Sequence, residues 1–379
     1  MSSLRSLGPL PPTPAARRPQ PPQPQPADHC ESSSRLLPKL FGGVGLALTL
    51  TGVATAITHT QPQPAPDLCP KNLTEQCYSN AVLPQSAPDP GVIQVGDQWF
   101  LTHTGKTDQG TFPLYQSDDL VHWREAGALF PPGQEPSWAQ GQYWAPEIHK
   151  VGDHYVAYFN ALEKDSGRLR LGAAVSDQVD GNYRDIGHPL VSNDKVSLID
   201  PTYFRDQDGS QYLYWKENGN AQGEPSKIMA AQLSPDGLQL TGKPQEVLRN
   251  DPSSWEDKVV EGPEVMRHDG HVYLFYAGNN YGTKDYAEGV ARATSPLGPF
   301  EKAPEPVLQS NRDWQGPGHA SLTQDAEGND WMVYHAWHGN PKNNSEGRQI
   351  LLDPIHWNAS GWPQVGSGTP SQSNRAPRT

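Results

Sequence analysis

The chain has 379 residues, which is enough to bury a large core in one domain and still leave unstructured ends. It carries 29 Lys and Arg residues against 42 Asp and Glu residues, a formal net charge of −13. Binding of nucleic acid or another anionic polymer needs a basic face, so this balance speaks against such partners.

Two segments precede the part of the chain that can fold. Residues 1–38 are rich in Pro, Gln, Ser and Arg and cannot pack a core, which predicts disorder. Residues 39–56 begin with Lys39, continue as the apolar run LFGGVGLALTLTGVATA and contain the small-x-small sequence Ala54-Thr55-Ala56. This is the layout of a secretory signal peptide with a long n-region.

The apolar run is short for a membrane span, which needs about 20 residues, and Gly and Thr dilute it. An uncleaved signal anchor is the alternative. We expect a secreted protein, extracellular or periplasmic, or a membrane-anchored one with its folded domain outside. The membrane is a partner only in the anchored case.

Residues 57–79 form a predicted linker that contains two of the three cysteines. If Cys30 is removed or lies in another compartment, Cys69 and Cys77 can form a disulfide at the entry to the domain. Two unpaired thiols are the alternative. The cysteines show no zinc-site spacing.

Residues 80–365 contain five similar units. Each begins with a small or acidic residue before Pro or His and runs through a turn into an alternating aromatic stretch. The steps between Pro90, Pro146, Pro201, Pro263 and His319 are 56, 55, 62 and 56 residues. A near-constant step with strands and turns inside each unit predicts an all-β, five-bladed propeller of one domain. The tail, residues 366–379, is predicted to be disordered.

Equivalent positions of propeller blades converge on one axis, so the matching slots of the five units should meet at a funnel. They hold Asp89, Ala145, Asp200, Glu261 (one residue earlier) and His319. Three carboxylates at one funnel mouth raise the pKa of at least one of them, which is costly unless the protein uses it. Glu147 and Glu264 share another slot directly after Pro, and we interpret both as structural.

These motifs, in combination and in order, resemble glycoside hydrolase family 43, five-bladed β-propeller enzymes that act on arabinofuranosides and xylosides. The resemblance covers about residues 80–365. It implies that Asp89 is the general base, Asp200 the pKa modulator and orienting residue, and Glu261 the general acid. It implies that Arg348 contacts sugar hydroxyls and the catalytic carboxylates. His319 matches a histidine at the funnel floor that is often associated with a bound calcium ion or a water cluster; no other cofactor is expected.

Inverting hydrolysis needs one protonated and one ionised carboxyl about 6.5–9.5 Å apart, with room for water between them. Asp89 in blade one and Glu261 in blade four lie on opposite sides of a five-fold ring, which favours that wider gap. A neighbouring Asp200 anion is expected to keep Glu261 protonated near neutral pH, although Arg348 opposes this effect. Trp144 is a candidate wall for sugar stacking, and core packing is its alternative role.

The predicted function is therefore that of a secreted glycosidase acting on oligo- or polysaccharide, with an α-L-arabinofuranosidase first, then endo-arabinanase, then β-xylosidase. A non-catalytic carbohydrate-binding or protein-binding propeller is the rival from another class, but such a module could lose any of the three acids and none is missing. Substrate choice is expected to come from loops at residues 107–112, 218–226 and 279–286.

Overall fold

The computed structural model describes residues 77–379, so the predictions for residues 1–38, for residues 39–56 and for most of the linker concern residues outside it. Within the described part there are two short 3-10 turns, Gly219–Gln222 and Pro341–Asn343, and no α-helix. No helix in residues 77–379 is long and apolar enough to cross a membrane. The strands are β1 (Cys77–Ser79), β2 (Gly91–Val95), β3 (Gln98–Thr102), β4 (Lys106–Thr107), β5 (Gly110–Ser117), β6 (Arg124–Phe130), β7 (Trp144–Val151), β8 (His154–Leu162), β9 (Leu169–Ser176), β10 (Arg184–Asp185), β11 (Leu198–Arg205), β12 (Gln211–Glu217), β13 (Lys227–Gln232), β14 (Gln245–Arg249), β15 (Val260–His268), β16 (His271–Gly278), β17 (Ala287–Ala293), β18 (Glu301–Lys302), β19 (Trp314–Gln324), β20 (Asp330–His338), β21 (Arg348–Trp357), β22 (Pro363–Val365) and β23 (Ser373–Arg375).

The strands form five antiparallel sheets that follow the chain in order. Blade one contains β2, β3, β5 and β6, with the two-residue strand β4 also paired to β5. Blades two to five are the consecutive quartets that begin at β7, β11, β15 and β19. The first strands of successive blades contact one another around the ring, so they are the inner strands of a five-bladed propeller. The predicted fold class is confirmed.

Apolar side chains pack between the blades, so both faces of many strands are buried and apolar and polar residues do not alternate strictly along them. Five clusters of buried side chains occur, each shared by two neighbouring blades. Between blades one and two, for example, Phe112, Phe130 and Phe159 contact one another with ring centroids 5.3–6.0 Å apart. Full burial of one such side chain contributes about 1.5–3 kcal/mol, so every blade interface stabilises the ring.

The ring closes where the start of the described chain meets blade five. The amide of Val82 donates to the Ile350 carbonyl at 2.9 Å, and Asn80 exchanges hydrogen bonds with the backbone of Leu352. β1 pairs antiparallel with β23 near the C-terminus. Cys77, the first residue of β1, is disulfide-bonded, and its partner lies outside the described residues. The Cys69–Cys77 pairing therefore stays a prediction.

The prediction of a disordered tail was wrong. Residues 366–379 follow the edge of blade five, and β23 forms a two-stranded sheet with β1. Asn374 is buried there, and the amide of Ser371 donates to the buried Asp353 carboxylate at 3.2 Å. Composition alone suggested disorder because the tail is polar. Its order comes instead from backbone pairing with a strand about 300 residues earlier in the chain, which local sequence does not reveal.

Candidate active site

One backbone feature recurs at the inner strand of every blade. Asp89, Ala145, Asp200, Gly262 and His319 have φ angles of 58°, 46°, 55°, 52° and 53°. This left-handed conformation is uncommon for residues other than Gly, and it persists only where the surrounding fold enforces it. In blades two to five it coincides with a break in strand register, a β-bulge. Bulges re-aim side chains next to active sites, and Asp200 and His319, which lie at two of these bulges, line the funnel pocket.

The bulge explains why the acid of blade four comes one residue early. A Cβ atom at Gly262 would lie 2.9 Å from the His319 ring, and the residue also has positive φ. Only glycine fits without a clash. The preceding residue, Glu261, therefore supplies the carboxyl that Asp89 and Asp200 supply from their own left-handed positions.

The three acids predicted from sequence line one small pocket at the start of the inner strands. Its volume is about 240 Å³. A larger cavity of about 930 Å³ lies against the C-terminal tail and contains none of the three acids, so we assign no chemistry to it. Trp144, Arg348 and His319, which the sequence also singled out, lie in the small pocket as well. Its full lining is Asp89, Thr104, Trp144, Ile199, Asp200, Glu261, Tyr281, His319 and Arg348.

Asp89 is held ionised by cations and donors around it. Arg348 Nη1 donates to Asp89 Oδ1 at 2.8 Å, and the Nδ1 atoms of His319 and His335 each lie 3.5 Å from the same oxygen. Burial favours the neutral carboxyl, but Arg348 and then His319 outweigh it and hold the pKa of Asp89 well below its ordinary value. The amide of Asp89 donates to His335 Nδ1 at 3.1 Å, so that imidazole is neutral. Burial and the nearby guanidinium lower the pKa of His335 accordingly.

Glu261 is also paired with a cation, which sequence analysis did not predict. Lys216 Nζ donates to Glu261 Oε2 at 2.8 Å, and the Tyr286 hydroxyl donates to Oε1 at 2.9 Å. Burial pushes the pKa of Glu261 upward, yet Lys216, His319 and Tyr286 together bring it below its ordinary value. The arrangement thus favours the carboxylate form in the free protein.

Of the three acids in the pocket, Asp200 is the one with a raised pKa. Its Oδ2 accepts the Gly262 amide at 3.0 Å, and its own amide donates to Asn160 Oδ1 at 3.2 Å. Burial, and then the Glu261 carboxylate, raise the pKa of Asp200 to about 6. We expected Asp200 to raise the pKa of Glu261. Instead the pKa of Glu261 is lowered and that of Asp200 is raised, because Lys216 contacts Glu261. Arg348, expected to oppose the rise at Glu261, bonds Asp89 instead.

Comparison with known protein families adds to this geometry. The family profile described as glycosyl hydrolases family 43 matches residues 78–363, most of the chain. The chain belongs to this family. The predicted resemblance, and with it the class of glycoside hydrolase, is confirmed.

Relatives in the family carry arabinofuranosidase names. The non-reducing end alpha-L-arabinofuranosidase BoGH43B of Bacteroides ovatus is 30% identical over 78% of this chain. The chain spans about half of that relative's length, 54%. The extracellular exo-alpha-(1->5)-L-arabinofuranosidase of Streptomyces chartreusis is 27% identical, over 80% of this chain and 91% of its own. Among solved structures, a thermostable family-43 glycoside hydrolase superposes with a TM-score of 0.73 and 29% identity, covering 80% of this chain and 99% of that one.

Glu147 and Glu264 of this family-43 chain are buried and lie outside the pocket lining, which agrees with the structural role we assigned to them. Glu264 accepts from the Thr202 hydroxyl at 2.8 Å and from the Leu322 amide at 3.1 Å, and Glu147 Oε2 lies 2.8 Å from His149 Nε2. Burial raises the pKa of both carboxyls to about 8 and lowers that of His149 to about 4. The Glu147–His149 contact is therefore a hydrogen bond between neutral groups near pH 7.

The residues around His319 do not fit a calcium ion held by protein ligands. Calcium takes about six to eight oxygen ligands. The nearest carboxylate oxygen to His319 Nδ1 belongs to Asp89 and already accepts from Arg348. Within residues 77–379 no group of three or more His, Cys, Asp or Glu side chains is placed to hold a metal. We therefore derive no step through a metal.

Lys216, Tyr281 and Tyr286 were not predicted individually as site residues. Of these, only Lys216 could have been suspected from the sequence, because this lysine of the strand QYLYWKE falls where alternation predicts a buried residue. Both tyrosines lie in the predicted loop 279–286, and Tyr281 lines the pocket. Loops 107–112 and 218–226 contribute nothing to the pocket lining.

Proposed function

We propose that this protein is a secreted, inverting glycosidase that removes terminal α-L-arabinofuranosyl units from arabinan or arabinoxylan. The observation that carries the proposal is the convergence of Asp89, Asp200 and Glu261, from three blades, on one sugar-sized pocket beside Arg348. Secretion is supported by the signal layout of residues 39–56 and by the word extracellular in the names of relatives from Cellvibrio japonicus and Streptomyces chartreusis.

In the proposed reaction Asp89 is the general base. Its carboxylate takes a proton from a water molecule as the water oxygen bonds to the anomeric carbon from the face opposite the leaving group. Arg348 and His319 keep Asp89 ionised, and Arg348 also fixes its orientation through the 2.8 Å hydrogen bond. A base with a lowered pKa is a weaker base, but it is present in the correct form across the whole neutral and mildly acidic range.

The glycosidic C–O bond breaks as Glu261 gives its proton to the leaving oxygen. The proton balance then closes with one proton on Asp89 and one lost from Glu261. Because the pKa of Asp200 is about 6, the neighbouring Asp200–Glu261 pair retains a proton in mild acid. The reactive form is the one in which that proton is on Glu261. We assign Asp200 the role of exchanging the proton with Glu261 and, through the Gly262 amide, of orienting the donor.

The pocket favours a single terminal sugar over the interior of a polymer. Trp144 and Tyr281 stand in its wall, and its volume of about 240 Å³ is below the usual range of drug-sized sites. A pocket of this volume accommodates about one sugar unit, whereas an endo-arabinanase needs a longer cleft for several units. The arabinofuranosidase names of relatives favour arabinose, but a β-xylosidase would use the same three acids and remains the second candidate.

The test is hydrolysis of 4-nitrophenyl α-L-arabinofuranoside, 4-nitrophenyl β-D-xylopyranoside and debranched arabinan by the wild type, Asp89→Asn and Glu261→Gln. We expect both variants to lose at least about 10²-fold in kcat, as for removal of a general acid or base. Asp153→Asn, which removes an exposed turn carboxylate, is the matched control and should retain full activity. Equal release of nitrophenol by wild type and active-site variants would favour the non-catalytic propeller.

The stereochemical outcome is tested separately. Proton NMR of the reducing sugar formed in the first minutes should show β-L-arabinofuranose before mutarotation if hydrolysis inverts the anomeric centre. First appearance of the α anomer would instead assign a retaining mechanism and remove the role of Asp89 as a general base acting on water.

A further inference from the structure

Lys216 is a buried cation next to the active site that none of the assigned roles uses. It lies on β12, the second strand of blade three, and its side chain is 2% exposed. It is not part of the pocket lining, so it does not touch the sugar. A lysine is almost never fully buried without a partner, and here the partner is the Glu261 carboxylate at 2.8 Å.

The second carboxylate oxygen of Glu261 also accepts a hydrogen bond. Tyr286, fully buried in blade four, donates its hydroxyl to Oε1 at 2.9 Å, while Lys216 bonds Oε2. Two donors from two blades fix the rotamer of the carboxyl. They also stabilise its ionised form, because charge-assisted hydrogen bonds favour the anion. Glu261 must deliver a proton in the proposed reaction, yet its surroundings favour the ionised form, which has already lost that proton.

The other ionisable groups near Glu261 do not cancel this effect. Asp200 faces it from blade three and Glu288 from its own blade; burial, and then the Glu261 charge among other groups, contribute to the raised pKa values of both. His319 faces it from blade five, and the Asp89–Arg348 pair lies across the pocket. The pair Asp89–Arg348 is internally neutralised. Lys216 is therefore the cation in direct contact with Glu261.

We infer that Lys216 is a positioning residue for the proton donor: its ammonium orients Glu261 and sets the upper pH limit of hydrolysis. The inference rests on the proposed function, with Glu261 as general acid. It implies that the protein works best in mildly acidic surroundings, since the donor loses its proton earlier than it would without Lys216.

The experiment compares the pH dependence of kcat/KM for wild type, Lys216→Met, Lys216→Gln and Lys216→Arg. Met and Gln remove the charge, and we expect the alkaline limb to move up by at least about one pH unit. Arg keeps the charge and should leave the limb near its wild-type position. Lys302→Met is the matched control, because Lys302 makes a comparable ion pair with the buried Glu256 at 2.7 Å in blade four; it should not move the limb.

A second readout does not depend on activity. In protein labelled with 13C at glutamate carboxyl carbons, with the signal of Glu261 assigned by Glu261→Gln, the Glu261 titration should move to higher pH in Lys216→Gln. If wild type hydrolyses no glycoside but the titration moves, the proposed function fails and the electrostatic role of Lys216 stands. If a folded Lys216→Gln leaves both the limb and the titration unmoved, or if Lys302→Met moves them equally, the inference is wrong.

Discussion

Arg348 Nη1 donates to Asp89 Oδ1 at 2.8 Å across 259 residues of chain, joining the first residue of β21 to the left-handed residue that precedes β2. The guanidinium also lies 4.8 Å from the ring centre of Tyr281. One side chain therefore connects the proposed base, the pocket wall and the last blade. Blade five closes the propeller and at the same time supplies the cation that keeps the base ionised.

The first prediction concerns this pair. In wild type we expect kcat/KM to stay constant on the acidic side down to about pH 4, because the pKa of Asp89 lies well below its ordinary value of about 3.9. Replacing Arg348 by Met removes the cation, so the pKa of Asp89 rises and an acid limb should enter the measurable range. We also expect kcat/KM to fall at least about 10²-fold.

The measurement is a pH profile from 3 to 9 on the nitrophenyl arabinofuranoside. Arg124→Met, which breaks an exposed ion pair with Asp118, serves as the control and should leave the profile unchanged. A profile of Arg348→Met with no acid limb above pH 4 would contradict the proposed electrostatic role.

The second prediction concerns the alkaline side. The Asp200 pKa of about 6 predicts that kcat/KM falls above about pH 6 as the Asp200–Glu261 pair loses its proton. In Asp200→Asn the only remaining titrating carboxyl of the pair is Glu261, whose pKa is lowered. The limb should then move to lower pH, and the rate at pH 7 should fall. A limb that stays at pH 6 or moves up would argue that Asp200 holds no proton.

The fold was predictable because its signal is long-range and repeated. Five units with prolines at similar steps define five blades, and any one unit alone would have said little. The three acids were predictable because equivalent positions of the five units converge on one axis, and Asp89, Asp200 and Glu261 lie at or next to those positions. Lys216 and Tyr286 were not, since each belongs to an otherwise ordinary strand or loop and gains its role only by contact with Glu261 across strands. The predicted order of the Glu261 and Asp200 pKa values was wrong because the contact between Lys216 and Glu261 was not predicted.

The third prediction tests Tyr281, the large hydrophobic residue most exposed in the described chain, at 51%. Its backbone is held independently of its ring, because Trp337 Nε1 donates to the Tyr281 carbonyl at 2.9 Å. Tyr281→Ala should therefore remove the wall and the contact with Arg348 without unfolding the loop. We expect KM for arabino-oligosaccharides to rise about three- to tenfold with little change in kcat.

Tyr281→Phe keeps the ring and should behave like wild type in the same steady-state assay. Product analysis on debranched arabinan gives a second readout, since loss of the wall should let longer products appear beside arabinose. An unchanged KM and an unchanged product pattern in Tyr281→Ala would place Tyr281 outside the substrate path.

The fourth prediction concerns stability and the buried acids Glu147 and Glu264. Both have pKa values raised to about 8 in the folded protein, against about 4.3 for an unperturbed glutamate. Between these values the unfolded chain binds fewer protons than the folded one, so their contribution to stability is present below about pH 4 and is lost as pH rises toward 8. The buried His149, with its pKa lowered to about 4, has the opposite dependence, losing stability as pH falls below about 6.5.

Glu264→Gln isolates the carboxyl contribution, because the amide is of similar shape and its oxygen can still accept from Thr202 or Leu322. We expect the free energy of unfolding of the variant to decline less steeply than that of wild type between pH 5 and pH 8, by at most about 1.4 kcal/mol per pH unit for one proton. Urea unfolding at pH 5, 6, 7 and 8 measures this slope, and Glu305→Gln, at an exposed site, should reproduce the wild-type slope. Identical slopes for wild type and Glu264→Gln would mean that Glu264 is ionised in the folded protein at neutral pH and carries charge rather than a proton.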